Sequence, residues 1–242
     1  MKKYELTETT KKTETGEIVH RIRALKSWEV QGHVVNEGDL GGWVQSEENL
    51  SYEGGCWLFD EAMGYQNSMR SDESIGWDYS QQRGNSVQRD HSQQFGYSVQ
   101  KGRSVQRDNS QQLGHSVQNG RSVQCGYSLQ SGNSQQGGYS VQEENSVQDG
   151  DSIQGGYSVQ SGCSVQRGNS IQCGRSRQEG RSMQSGNSQQ GGYSVQRDYS
   201  QQSGNSMQCG YSMQEGDSVQ NGYSIQCGNS VQDGNSVDAG RF

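Results

Sequence analysis

Proline is absent from this chain, and apolar residues are few. None of the 242 residues is proline, only 27% are hydrophobic and 8% are aromatic. Serine, glutamine and glycine are abundant instead, with 37, 35 and 35 residues. Such a composition buries too little apolar surface to offset the entropy of ordering a chain. A fold is therefore expected only if the polar residues follow a strict period.

Clustered positive charge and long apolar segments are also missing. Residues 1–66 carry 7 basic and 12 acidic side chains, and residues 67–242 carry 13 and 15, which together give the net charge of −7. Without a basic cluster to neutralise phosphates, nucleic-acid binding is not expected. No apolar run approaches the roughly 20 residues that span a bilayer, so neither membrane insertion nor secretion is expected.

The cysteines lack the spacing of a metal or redox motif. No two of the six are separated as Cys-x-x-Cys, and none is grouped with histidine, so the sequence predicts no metal site and no cofactor. Reduced thiols are the simplest interpretation, and they fit a cytoplasmic location. The cysteines are Cys56, Cys125, Cys163, Cys173, Cys209 and Cys227.

What the chain has is a six-residue repeat of the form x-Ser-φ-Gln-x-Gly, where φ is usually Val, Ile or Met. Serine occupies every sixth position from Ser68 to Ser236, and glutamine every sixth position from Gln82 to Gln232, without exception or insertion. One hexad is long enough for a short strand and a corner. The period therefore predicts a β-solenoid.

Three hexads are the best count for one coil. Residues 83–100 and 101–118 are identical at 13 of 18 positions, and the segment NSQQGGYSVQ at Asn133 recurs at Asn187, three times eighteen residues later. Eighteen-residue coils predict a triangular solenoid of about ten coils, with like residues stacked about 4.8 Å apart. A two-sided coil of 12 residues is the alternative. Cys209 and Cys227 would lie one coil apart, where a disulfide is conceivable but free thiols are the simpler expectation.

Two segments ahead of the repeats carry a resemblance. Gly38–Trp43 reads GDLGGW and Glu47–Ser51 reads EENLS, and the preceding Arg21–Leu25 reads RIRAL. These segments are similar to the N-terminal module of phage-associated and bacterial hexapeptide proteins built from tandem YGNARV-like units. The repeat frame also resembles that of hexapeptide acyltransferases. The resemblance implies an all-β, left-handed solenoid in a bacterial or phage-infected cell, with serine in the family's alanine slot and glutamine in its valine slot.

Alternation along each strand puts Ser and Gln on one face and φ on the other. In the conventional arrangement φ would fill the core, but φ is Gln in six hexads and Arg177 in another, and burying such groups unpaired costs several kcal/mol. We therefore favour a polar core whose glutamine amides bond from coil to coil, as in cross-β ladders. The predicted inward ladder includes Ser86, Gln88, Ser104, Gln106, Ser122, Gln124, Ser140, Gln142, Ser158 and Gln160.

A polar core leaves the φ residues outside. A flat apolar column marks a candidate contact face for a homo-oligomer, although φ residues could simply suit a β backbone. Arg177 interrupts the most apolar column. The other members are Val87, Val105, Val123, Val141, Val159, Val195, Met213 and Val231.

Residues 1–66 differ in composition from the repeats and hold Trp28, Trp43 and Trp57. A solenoid end exposes unpaired backbone and would polymerise unless it were covered. The sequence therefore predicts two regions. Residues 1–66 form an N-terminal cap, with a β-rich module to about residue 40 and then degenerate first coils, and residues 67–242 form the hexapeptide-repeat solenoid.

No catalytic constellation is found. His91 and His115 are corner residues with no loop around them, and no Ser–His–Asp arrangement can be nominated. The sequence predicts a non-enzymatic structural or interaction rod; an acyltransferase-like enzyme is the alternative. A second alternative is a carbohydrate- or ice-binding solenoid. Sugar binding could use one tyrosine column, whereas ice binding is disfavoured because every threonine lies within residues 7–15. The tyrosines are Tyr139, Tyr157, Tyr193 and Tyr211.

Overall fold

Short β-strands make up nearly all of the regular structure in this protein. The computed structural model describes residues 2–84, 86–102, 105–106, 108, 111–114 and 117–118, and beyond residue 122 the strand residues given below and Gly137. The chain divides into two compact units, Met1–Gly120 and Arg121–Phe242. In the described part, no helix has the length and apolar character needed to cross a membrane.

Five strands and one 3-10 turn precede the first hexads. Strand β1 pairs antiparallel with β2, and β2 with β5, while β3 and β4 form a separate hairpin. The 3-10 turn spans Glu47–Asn49. The strands are β1 (Tyr4–Lys12), β2 (Ile18–Ala24), β3 (Trp28–Val30), β4 (His33–Val35) and β5 (Leu40–Val44).

Two-residue strands, one per hexad, follow in the first unit. Each pairs in parallel with the strand 18 residues away, as in Gln81 with Val99, Val87 with Val105, and Gln93 with Gln111. These three pairs belong to three different sheets, so the coil has three sides and the 12-residue alternative is wrong. Strands β6 to β16 are Trp57–Leu58, Met63–Gly64, Met69–Arg70, Ile75–Gly76, Gln81–Gln82, Val87–Gln88, Gln93–Gln94, Val99–Gln100, Val105–Gln106, Gln111–Gln112 and Val117–Gln118.

The second unit repeats this register. Val123 pairs with Val141, and Leu129 with Val147, again 18 residues apart and in parallel. The predicted β-solenoid is thus confirmed, while its left-handed sense stays a prediction. Strands β17 to β36 are Val123–Gln124, Leu129–Gln130, Gln135–Gln136, Val141–Gln142, Val147–Gln148, Ile153–Gln154, Val159–Gln160, Val165–Gln166, Ile171–Gln172, Arg177–Gln178, Met183–Gln184, Gln189–Gln190, Val195–Gln196, Gln201–Gln202, Met207–Gln208, Met213–Gln214, Val219–Asn221, Ile225–Gln226, Val231–Gln232 and Val237–Ala239.

The N-terminal strands are continuous with the first sheet of the solenoid, and the division into a cap of residues 1–66 and a solenoid stays a prediction. Strand β5 pairs in parallel with β7, with Trp43 opposite Met63, twenty residues later. From Trp57 opposite Ile75 onward, the spacing is eighteen. Strands β1 and β2 extend the same sheet beyond β5, so the edge of the first coil is paired rather than open.

Polar side chains fill the repeat interior. Every glutamine at the sixth-residue spacing from Gln82 to Gln208 is buried, and so are the serines from Ser68 to Ser98 in that frame. The outward Val87 and Val105 are only half-buried. The Ser/Gln core is therefore confirmed and the aliphatic core is wrong. Within the predicted ladder, Ser86, Gln88, Gln106, Gln124, Gln142 and Gln160 are buried, and Ser104, Ser122, Ser140 and Ser158 lie outside the described residues.

The interior amides bond to backbone carbonyls. Gln82 Nε2 donates to the carbonyl of Met69 at 2.8 Å, and Gln88 Nε2 to that of Ile75 at 3.2 Å, in each case thirteen residues earlier and one coil down. Gln88 Nε2 also donates to the carbonyl of Ser92 at 3.1 Å. The predicted amide-to-amide bonds between coils are thus corrected to amide-to-carbonyl bonds, because the amide lies within reach of a φ carbonyl that needs a donor.

Each described corner from Gln66 to Gly114 contains one residue in the left-handed backbone region. The position two residues after the inward glutamine carries φ values such as 75° at Gly84, 58° at Asp90 and 67° at Gly96. Glycine adopts this conformation without steric cost, and aspartate tolerates it better than most residues. This requirement explains why the sixth position of the hexad is usually glycine and sometimes aspartate.

Candidate binding groove

A groove of about 410 Å³ lies between the tip of the β1–β2 hairpin and the outer face of the sheet that contains β7, β10 and β13. It lies wholly within the first unit. The hairpin contributes one wall and the solenoid the other. The lining residues are Lys11, Lys12, Thr13, Glu14, Met63, Tyr79, Gln81, Arg83, Tyr97 and Val99.

Ion pairs hold the hairpin against the solenoid. Lys11 Nζ donates to Glu61 Oε2 at 2.6 Å and lies 4.2 Å from the centroid of the Trp43 ring. Glu61 also accepts from Arg21 Nη1 at 2.7 Å and from Trp43 Nε1 at 2.9 Å. Burial alone would raise the pKa of Glu61, but the bonds from Lys11 and Arg21 outweigh it and lower that pKa.

The hairpin turn is fastened through a second carboxylate. Glu17 Oε2 accepts from the hydroxyls of Thr13, at 2.7 Å, and Thr15, while Glu17 Oε1 accepts from Gln66 Nε2 at 2.7 Å. These hydrogen bonds, led by that of Thr13, lower the pKa of Glu17 to about 2. The carboxylate is therefore ionised at neutral pH and ties the turn to a solenoid corner.

Tyr79 and Tyr97 form an aromatic wall. They are eighteen residues apart, so the coil register stacks them with centroids 5.0 Å apart and ring planes within 4°. Tyr79 is 51% exposed and Tyr97 is 56% exposed. Two parallel rings therefore present half of their surface to solvent at the edge of the groove.

A buried tyrosine positions two polar side chains at the groove floor. The hydroxyl of Tyr65, which is fully buried, donates to Gln81 Oε1 at 3.1 Å and accepts from Arg83 Nη1 at 3.3 Å. The amide Nε2 of Gln81 and the other N–H groups of Arg83 make no further hydrogen bond among the described residues. They are therefore donors that a ligand in the groove could use.

No protein-family model matches this chain, and no curated protein matches it. The resemblance to phage-associated hexapeptide proteins consequently stays a prediction.

The sequence did not single out this groove. Its one signal in the sequence is the pair Tyr79 and Tyr97 at the coil spacing, whereas the predicted tyrosine column runs from Tyr139 to Tyr211. Those tyrosines lie outside the described residues, as do His115, Cys209 and Cys227. His91 is an exposed corner residue, as expected.

The predicted contact face is described only in part. Val87 and Val105 are half-buried, and Met69 in the same column is 44% exposed. The strands that carry the later members pair in the expected register, but their side chains lie outside the described residues: Val123, Val141, Val159, Val195, Met213 and Val231. Within the described part of the chain, no group of three His, Cys, Asp or Glu side chains could hold a metal ion.

In the described part of the chain, two buried cations lie outside the groove. Lys3 Nζ donates to the carbonyl of Cys56 at 2.9 Å and to its Sγ at 3.2 Å; burial lowers the pKa of Lys3 and raises that of Cys56. Arg70 lies at a glutamine position of the solenoid interior, where burial lowers its pKa to about 9.

Arg70 marks the change from an apolar to a polar interior. Its neighbours in that frame are Gly64 and Gly76, and a Cβ at Gly76 would lie 2.5 Å from Arg70 Nη1. The Arg70 side chain therefore takes the space that a side chain at position 76 would need. Its Nη2 donates to Gln94 Oε1 at 3.3 Å in the next coil. The signal of this change in the sequence is a glycine on each side of an arginine in the glutamine frame.

Proposed function

We propose that this protein is a non-enzymatic structural or interaction protein that self-associates through the flat face carrying Val87 and Val105. The observation that supports the proposal is the burial of the glutamines and serines that are invariant in the repeat. Interior glutamines donate to backbone carbonyls, as in Gln94 to Gln81 at 2.9 Å and Gln142 to Leu129 at 2.9 Å. Because those residues are buried in the core, a partner can contact only the side chains on the outer faces.

The exposed column supports the choice of face. In the first unit, Met69 pairs with Val87 and Val87 with Val105, so apolar side chains follow one another along a single sheet. A flat apolar surface of this kind on a polar protein is typical of a protein contact. The proposal includes a cytoplasmic location, no cofactor and no nucleic-acid partner.

Oligomeric mass in solution tests this proposal. We expect the wild type to sediment as a dimer or larger species and the Val123→Lys/Val141→Lys variant as a monomer, because four lysines would meet across a symmetric contact. A Leu129→Lys/Val147→Lys variant carries the same charges on a neighbouring sheet and should keep the wild-type mass. A monomeric wild type, or an unchanged mass in the first variant, would remove the interface.

Acyl transfer finds no support in the described residues. A general-base histidine is needed close to the acceptor, and the groove lining contains none. The enzyme alternative is therefore not proposed.

A further inference from the structure

Arg70 places a positive charge inside the first unit of the solenoid. The side chain is 1% exposed, and burial lowers its pKa to about 9, so the guanidinium is still protonated at neutral pH. None of the ion pairs among the described residues includes Arg70. A buried cation without a countercharge is strongly destabilising. Something has to balance this charge in the folded protein.

Two donor atoms of Arg70 also have no acceptor among the described residues. Nη2 donates to Gln94 Oε1 at 3.3 Å, whereas Nε and Nη1 are buried and make no hydrogen bond. Buried N–H groups are almost always paired, and those of a charged group are the most costly to leave unpaired. An acceptor is therefore expected beside the guanidinium.

The nearby thiol does not supply the missing charge. Cys56 interacts electrostatically with Arg70, but burial raises the pKa of this thiol, so it is neutral at pH 7. The side chain bonded to Cys56 Sγ, at 3.2 Å, is that of Lys3, which is a base and not an acid. The described residues around Arg70 thus offer donors but no negative charge.

The interior has room for an acceptor at Gly64. The strand positions 64, 70 and 76 pair with three inward glutamines of the next coil, so all three face the same interior. A Cβ at Gly76 would meet the guanidinium, whereas the nearest described atom to a Cβ at Gly64 would be Asn49 Cβ at 3.6 Å. A methyl-sized group therefore fits at Gly64, on the third side of the coil that Arg70 crosses.

A buried hydroxyl adds a donor at this space. Ser68 Oγ would lie 3.8 Å from a Cβ at Gly64, and it has no hydrogen-bond partner among the described residues. Ser68 precedes Arg70 by two residues, so both side chains leave the backbone on the inward face. A serine hydroxyl rotates to donate wherever an acceptor is present.

We propose that the solenoid interior binds a small monovalent anion such as chloride, held by Arg70 and Ser68 at the open position of Gly64. A charged donor binds an anion more strongly than a neutral acceptor. Water would accept the same hydrogen bonds but would leave the charge unbalanced, and the methyl-sized space favours a halide over a phosphate. The site is independent of self-association, because it lies inside the coil and not on the column of Val87.

Anomalous diffraction from crystals grown in sodium bromide tests the proposal. We expect a bromide peak within hydrogen-bond distance of Arg70 Nε or Nη1 in the wild type, and no interior peak in Arg70→Gln. The variant Gly64→Gln/Arg70→Gln/Gly76→Gln restores the glutamine frame of the later coils, so it should keep the fold and also lack the peak. Density without anomalous signal beside Arg70 would identify a water and overturn the proposal, as would an interior bromide in either variant.

Thermal melts supply a second test in solution. An anion that binds only the folded state stabilises it by mass action, so a hundredfold rise in chloride, exchanged for gluconate at constant ionic strength, should raise the wild-type Tm by about 5 °C or more. The Tm of Arg70→Gln should not respond. Arg89→Gln removes an exposed arginine and should keep the wild-type response. A wild type without a response, or an equal response in Arg70→Gln, would contradict the proposal.

Discussion

The interior glutamines link one coil to the next through hydrogen bonds to backbone carbonyls. Gln88 is fully buried, and its Nε2 donates to one carbonyl in the coil below and to another in its own coil. Serine completes the corner from the same face, since Ser86 Oγ donates to the carbonyl of Arg83 at 2.9 Å. A polar core is stable only where such bonds offset the cost of desolvating the amide.

Replacing one interior amide should therefore cost more than changing its outward neighbour. We expect Gln88→Ala to lower the free energy of unfolding by about 2–4 kcal/mol, because it opens a cavity and removes two hydrogen bonds. The matched control Val87→Thr changes the adjacent half-buried residue and should cost less than about 1 kcal/mol. Urea denaturation measures both values, and the opposite ranking would mean that the strand faces are reversed.

The direction of these side chains could be predicted from the sequence, but their acceptors could not. Invariant glutamine beside a variable φ position, which includes Arg177, is sufficient to place the amide inside. Choosing between a neighbouring amide and the carbonyl thirteen residues earlier requires the axial offset between adjacent sides of the coil. The six-residue period of the sequence does not give that offset.

At the scale of the element, the corner depends on one backbone conformation. Gly84 has φ of 75°, and a Cβ there would lie 2.9 Å from the backbone of Gly102 in the next coil. Gly137 occupies the position before a corner and has no such φ, and among the described residues no atom lies within 4 Å of an added Cβ. The two glycines therefore differ in what an alanine would meet.

Alanine substitution should separate these two positions. Gly84→Ala is expected to lower the free energy of unfolding by about 1–3 kcal/mol through strain and crowding, whereas Gly137→Ala should be neutral or slightly stabilising. Thermal melts of the two variants provide the measurement. Equal losses at both sites would contradict the assignment of the left-handed residue to the corner.

At the scale of the whole molecule, the repeats could be predicted from the sequence, and the packing of the N-terminal hairpin could not. Strict periodicity defined the register, because one slip would misplace every later serine and glutamine. The hairpin that forms the groove depends on Lys11 meeting Glu61 and Glu17 meeting Gln66, about fifty residues apart in sequence. No local sequence pattern indicates such pairs, so the groove could not be predicted from the sequence.

Hydrogen exchange of glutamine side-chain amides, followed by NMR in D₂O, tests the central claim most directly. Interior amides such as those of Gln88 and Gln106 should exchange at least about a hundredfold more slowly than that of the exposed Gln135, because their exchange requires the coil to open. Uniformly fast exchange of all glutamine amides would contradict a core built from them.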